Sequence, residues 1–157
     1  MRPVLGLTLY AFLKFLHVLL AIVAVGFNAS YALWLARGDR EHAHTAFALR
    51  GVKLLDDRIA NPAYALLLVT GISMVIVGDL DLTTFWIATA LGLYLVAVVL
   101  GLLVYTPTLR RQIQLVESDG PSSPAYAALA RRGTVVGIVL AVDVIVIVFL
   151  MVTKPTW

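Results

Sequence analysis

Four apolar runs, residues 9–36, 62–78, 82–105 and 134–153, dominate a chain of 157 residues. Each is close to the roughly 20 residues with which a helix crosses about 30 Å of hydrocarbon. Lipid offers no partner to a free N–H or C=O, so each run must satisfy its own backbone, which a helix does within the segment. A composition 61% hydrophobic and 13% charged leaves too little polar surface for a soluble domain. The expected fold is all-α, with four transmembrane helices in an up-down bundle. It forms one integral membrane domain over residues 1–157, with helices at about 9–36, 46–78, 82–117 (with a break near 106) and 124–153.

The positive charges orient the bundle. Arg37, Arg40, Arg50, Lys53 and Arg58 follow the first run, and Arg110, Arg111, Arg131 and Arg132 follow the third, so nine of the twelve Lys and Arg residues lie on one side. The turn after the second run carries none. By the positive-inside rule both termini and that turn face outside. The pI near 9.5 thus reflects topology, and no nucleic-acid partner is implied. The first run carries Lys14 and His17 and lacks a small-residue cleavage site, so it reads as a retained helix and not a signal peptide. With no cysteine, thiolate metal sites and covalent haem attachment are excluded.

Two cytoplasmic segments accompany the spans. Residues 41–58 alternate charge with Phe47, Val52, Leu54 and Leu55, extending the second helix into water before Pro62 kinks it. Ser123 and Pro124 form an N-cap and first-turn pair at the start of the fourth helix.

Lys14, His17 and Asp143 are the ionisable residues well inside the runs. A charge at the bilayer centre costs roughly 2.5–3.5 kcal/mol on insertion scales, so such residues mark a site or a packing contact. Tyr10, Lys14, His17, Ala21, Ala24, Asn28 and Tyr31 recur at alternating fours and threes, forming one stripe on the first helix. The stripe should turn inward, either as interhelical hydrogen-bonding glue or as the wall of a cofactor pocket with Ala21 and Ala24 leaving space for a flat ring. His17 and Asp143 lie at similar depths, so they can meet as imidazole and orienting carboxylate or as a proton relay; Asp143 can alternatively pair with Lys14 or face a partner subunit. Lys14 is placed to snorkel to the headgroups. His42 and His44 read as a solvated loop, with a metal site as the other reading.

Residues 13–17 (Leu-Lys-Phe-Leu-His) followed by Gly26 resemble the first-helix signature of the small four-helix protoporphyrinogen oxidases of bacterial haem synthesis. Residues 58–62 (Arg-Ile-Ala-Asn-Pro), running into Thr70-Gly71, are similar to their second helix. The outline also resembles copper-resistance D-type membrane proteins, and most closely an uncharacterised bacterial family of predicted four-helix integral membrane proteins. The resemblance implies a multi-pass protein of the bacterial plasma membrane with haem b held by His17 as metal ligand. Asn28, Asn61, Tyr10, Tyr64 and Asp143 would line or tune the cofactor site. The oxidases carry a Trp-then-Lys pattern at the third helix; here Trp86 is followed by Ile87, Ala88, Thr89 and Ala90, without the lysine.

Three readings follow. The first is a haem b protein for electron transfer or redox chemistry. Next comes a non-catalytic membrane subunit, homodimer or larger complex, and last a copper or proton-coupled transport module. The last is short of soft ligands, since Met1, Met74 and Met151 form no Met-rich path.

Overall fold

The computed structural model describes the backbone of residues 2–155 and the side chains of residues 8–155, so the Arg2 side chain and Trp157 lie outside it. Six α-helices follow one another, with no strand among the described residues: α1 (Arg2–Arg40), α2 (Thr45–Leu55), α3 (Asn61–Val77), α4 (Phe85–Leu100), α5 (Thr106–Ser118) and α6 (Pro124–Thr153). A π-helical turn, Asp56–Ala60, joins α2 to α3, and another, Gly101–Tyr105, joins α4 to α5. The result is four continuous rods, each long and apolar enough to cross a membrane. This is the all-α, four-span arrangement expected from the sequence.

The two π turns have one cause. Pro62 and Pro107 each stand second in the helix that follows the turn. Proline within a continuing helix has no N–H to donate, and its ring collides with the carbonyl four residues back, here that of Arg58 or Leu103. One extra residue in the turn widens it and relieves the collision without breaking the rod. The kink read at Pro62 therefore takes the form of a local widening where the apolar part of the rod meets the charged part. At the start of α6 the Ser123 hydroxyl accepts a hydrogen bond from the Tyr126 N–H at 3.2 Å, and Pro124 follows it. At its far end Lys154 adopts a left-handed backbone (φ 46°) and sets its ammonium 5.4 Å from the centre of the Trp86 ring. That contact ties the end of α6 to the start of α4 at the level where tryptophan and lysine anchor spans to the interface.

The rods differ in how their two ends are held. Tyr31, Leu49, Val52, Ala60, Leu109 and Tyr126 form a contiguous buried cluster around α1, α2, α5 and α6, at the end that carries the arginines. The rod from His42 to Val77 has 36 residues, about 54 Å at 1.5 Å per residue. It exceeds the hydrocarbon thickness, so its charged part projects into water, where burying leucine and valine is favourable. Within lipid the same burial gains little, and small residues and hydrogen bonds hold helices together instead. Polar ties complete the charged end. The Tyr126 hydroxyl donates to Asp39 Oδ1 at 2.6 Å, Arg50 Nη1 to Glu117 Oε1 at 2.8 Å, and Gln112 Nε2 to the Leu129 carbonyl at 2.8 Å, while Lys53 pairs with Asp57.

Toward the other end the rods separate into two hairpins. α1 packs along α3 and α4 along α6, but among the described residues no Cα of α4 comes within 8 Å of one in α1 or α3. A tyrosine hydrogen bond crosses between them, the Tyr94 hydroxyl donating to the Tyr64 carbonyl at 2.9 Å. The bundle is closed at its charged end and opened into a pair of hairpins beyond it.

Two expected results follow from this architecture. Reporter fusions in residues 78–84 and after the last residue should read as external, and fusions in residues 119–123 as cytoplasmic; a cytoplasmic reading for the C-terminal fusion would reverse the orientation. Tyr126→Phe removes a charge-assisted bond between α1 and α6 and should lower stability by about 1.5 kcal/mol, read from unfolding in mixed micelles. An unchanged midpoint would show that the Asp39 contact contributes nothing.

Candidate functional site

The polar stripe of α1 is the surface that meets α3. Tyr10 covers Gly78, where an added Cβ would stand 2.7 Å from Tyr10 Cε2. One step along the seam His17 covers Gly71, and a Cβ there would stand 3.3 Å from His17 Cε1. Ala24 has no exposed surface, and Tyr31 is 3% exposed. Between them the Asn28 Nδ2 donates to the Tyr64 hydroxyl at 2.5 Å. The packing rule is a ring of α1 laid over a glycine of α3, which permits close approach where lipid supplies no driving force. Lys14 lies about 60° round the helix from His17 by the 100° per residue of an α-helix, and it is exposed. Gly26 stands on the face opposite His17, with open space around it.

The contacts of Thr70 set the surroundings of His17. Thr70 has a single hydroxyl hydrogen, and its Oγ1 lies 2.8 Å from the Leu66 carbonyl and 3.1 Å from that of Leu67, both of which can only accept. A hydroxyl that donates back along its own helix in this way has only lone pairs left for a further partner. His17 Nδ1 lies 2.8 Å from the same oxygen, and where the hydroxyl hydrogen goes to a carbonyl, Nδ1 is the donor of this contact. The imidazole also hydrogen-bonds the Leu67 backbone. In the tautomer with its one N–H on Nδ1, a neutral imidazole has an unprotonated Nε2. That tautomer, with one ring nitrogen held by an acceptor and the other unprotonated, is the one that metal-ligating histidines use.

Asp143 does not join this group. No ion pair or hydrogen bond links it to His17 or Lys14, and its Oδ2 is buried on α6 without a partner among the described residues. The meeting of His17 and Asp143 anticipated from depth alone fails because the two residues belong to different hairpins. Asn61 Nδ2 lies 3.2 Å from Asp56 Oδ2, at the π turn. Asn61 is thus drawn toward the charged end of the seam, while Tyr10 and His17 lie toward the other. His42 and His44 are exposed in the charged-end loop, and no group of three His, Cys, Asp or Glu side chains able to hold a metal occurs among the described residues. Near the charged end a small, partly open void of about 30 Å³, bordered by Asp39, Tyr105, Gln112 and Tyr126, has room for a water and not for a macrocycle.

Residues 11–155 match the family described as predicted integral membrane protein, DUF2269. The chain belongs to this family. The matched region takes in all four spans, with His17, Thr70 and Asp143 among them. No curated protein and no solved structure matches the chain.

Two features of this family member escaped the reading of its sequence. Asp56, taken as part of a solvated cytoplasmic extension, is 6% exposed. The signal was present, because Thr45, Leu49, Val52 and Asp56 are spaced by four, three and four, so that Asp56 continues the buried face of α2 into the π turn. Tyr31, Tyr64 and Tyr105 lie close enough to feel the charge of this carboxylate, and the Tyr31 hydroxyl is buried without a hydrogen-bond partner among the described residues. The second feature is the role of Thr70 as acceptor for His17, which depends on the register between two helices and not on a motif within either.

Proposed function

We propose that this small integral membrane protein carries haem b at the bacterial plasma membrane, with His17 as its axial ligand, for electron transfer or redox chemistry. The observation that carries this reading is the 2.8 Å contact of His17 Nδ1 with Thr70 Oγ1, which in turn lies 2.8 Å from the Leu66 carbonyl; this supports an imidazole oriented through Nδ1, with Nε2 as the ligating nitrogen. The donor set fits the group. A neutral imidazole nitrogen is the axial ligand of b-type haem in many proteins, and the chain supplies it without a thiolate. When bound, haem b would supply one-electron chemistry inside the bilayer.

The chain's own residues do the rest. Thr70 orients the imidazole, Gly71 gives the ring room against α3, and Asn28, Tyr64 and Tyr94 lock the seam and brace it against α4. The resemblance of the Lys14–His17 segment and of Asn61-Pro62 to small membrane protoporphyrinogen oxidases supports the same cofactor. The missing lysine after Trp86 argues against oxidation of protoporphyrinogen itself as the activity.

A test that leaves the ligand in place is Thr70→Val. Loss of an outer hydrogen bond to a metal-ligating histidine typically weakens binding 10–100-fold, whereas an interhelical hydrogen bond in lipid contributes only about 0.6 kcal/mol to stability. Thr70→Val should therefore bind haem markedly less well in titration of the haem-free protein while unfolding almost as the parent does. Equal affinity would contradict the role given to Thr70.

A second reading, a membrane subunit that assembles with a further copy or another protein, is favoured by Asp143 alone. A buried carboxylate oxygen without a partner within the chain is the kind of group that a partner helix satisfies. On that reading Asp143→Leu should dissociate the assembly, seen by light scattering in detergent. On the haem reading Asp143→Asn should leave the haem spectrum unchanged, because no contact joins it to His17.

A further inference from the structure

At the basic end Arg37, Arg50 and Lys53 are in ion pairs, whereas three arginines line one groove. Between α5 and α6, Arg110, Arg111 and Arg132 border a groove of about 320 Å³ whose apolar part is Leu103, Val104 and Leu129. No carboxylate lines it, and none of the three guanidinium groups forms an ion pair among the described residues. The acid of α5, Glu117, is already taken by Arg50 of α2 at 2.8 Å, and Asp39 accepts from Tyr126. Below the arginines Leu102 and Leu103 are 54% and 71% exposed on a rod that crosses the membrane. Arg110 lies seven residues beyond Leu103, about two helical turns or 10 Å along the axis. The groove thus joins positive charge at headgroup depth to an open apolar surface at acyl-chain depth.

The geometry points to a binding site for an anionic glycerophospholipid, its phosphate against Arg110, Arg111 and Arg132 and an acyl chain along Leu103. Charge complementarity commits the site to an anionic headgroup, since three unpaired guanidinium groups fit phosphate oxygens and repel the choline or ethanolamine cation. The apolar wall commits it to a lipid, because a free phosphate makes no use of Leu103 and Leu129. Basic pockets between spans at the cytoplasmic face are the setting in which such lipids are held.

The test is native mass spectrometry of the full chain in detergent, titrated with cardiolipin, phosphatidylglycerol or phosphatidylcholine. Each basic residue near the surface changes anionic-lipid affinity roughly fivefold, so the triple variant Arg110→Gln, Arg111→Gln, Arg132→Gln should bind the two anionic lipids about a hundredfold more weakly. The control Arg37→Gln, Arg40→Gln, Arg58→Gln removes equal charge outside the groove, leaves Glu117 paired with Arg50, and should bind as the parent does. Phosphatidylcholine should bind neither protein specifically, and inorganic phosphate at equal concentration should not displace the anionic lipids. Because the three arginines are exposed, the variants keep the fold, which an unchanged unfolding midpoint without lipid verifies. Equal loss in the two triple variants would reduce the effect to bulk charge and overturn the site. Displacement by inorganic phosphate would overturn the lipid in favour of the free ion.

Discussion

His17→Ala is expected to abolish haem absorbance in the purified protein while the four spans still insert. Insertion is set by hydropathy, and replacing one imidazole by a methyl group makes the first span more apolar. Structurally the loss is small, since the side chain contributes one interhelical hydrogen bond, to Thr70, worth about 0.6 kcal/mol in lipid. The expected chemical loss is complete, because the substitution removes the ring nitrogen proposed to ligate the haem. Lys14→Ala serves as the matched control. Lys14 is a turn away on the same helix and exposed, so its removal should leave absorbance unchanged. Loss of absorbance in both variants, or in neither, would remove His17 from the ligand role.

The second large effect is expected far from the histidine, at the crossing of α1 and α2. A Cβ on Gly38 would stand 2.7 Å from Ala48 Cβ and 3.4 Å from Thr45 Cα, and the Gly38 carbonyl accepts from the Thr45 hydroxyl at 2.8 Å. Neither neighbour is the end of a flexible side chain that can swing away. Two effects compete in Gly38→Ala, about 1 kcal/mol gained from helix propensity against about 1–3 kcal/mol lost to overpacking. The net loss should be modest. In Gly38→Leu only the overpacking grows, and a loss of about 3 kcal/mol or more is expected. Gly92 is the comparison, because an added Cβ there meets nothing within 4 Å. Gly92→Ala should stabilise by up to about 1 kcal/mol. Unfolding titrations of the three variants check the order; a Gly38→Leu protein as stable as the parent would show that the crossing is looser than its geometry.

The spans and the stripe were legible in the sequence because each rests on a short-range regularity. Apolar length alone gives the rods, and the threes and fours from Tyr10 to Tyr31 give the face of α1 that lands on Gly78, Gly71 and Tyr64. Pro62 and Pro107 announced an irregularity, although a widened turn and a kink cannot be told apart from the proline alone. What depends on the placement of one helix against another was not legible. Equal depth put Asp143 beside His17, yet depth says nothing of azimuth or of which hairpin a span joins. The separation of the hairpins is a property of helix pairs, set by glycines that draw α3 onto α1 and by a hydrophobic cluster that closes only the charged end. The burial of Asp56 stood in the spacing of α2 but was masked by the charged residues around it.

The absorption spectrum of the unmodified protein, purified from haem-replete cells, tests the central claim most directly. A Soret band that is retained through purification and missing from the His17→Ala protein is the predicted result. A colourless protein that remains folded and gains no such band on titration with haem would contradict the account and leave the membrane-subunit reading in its place.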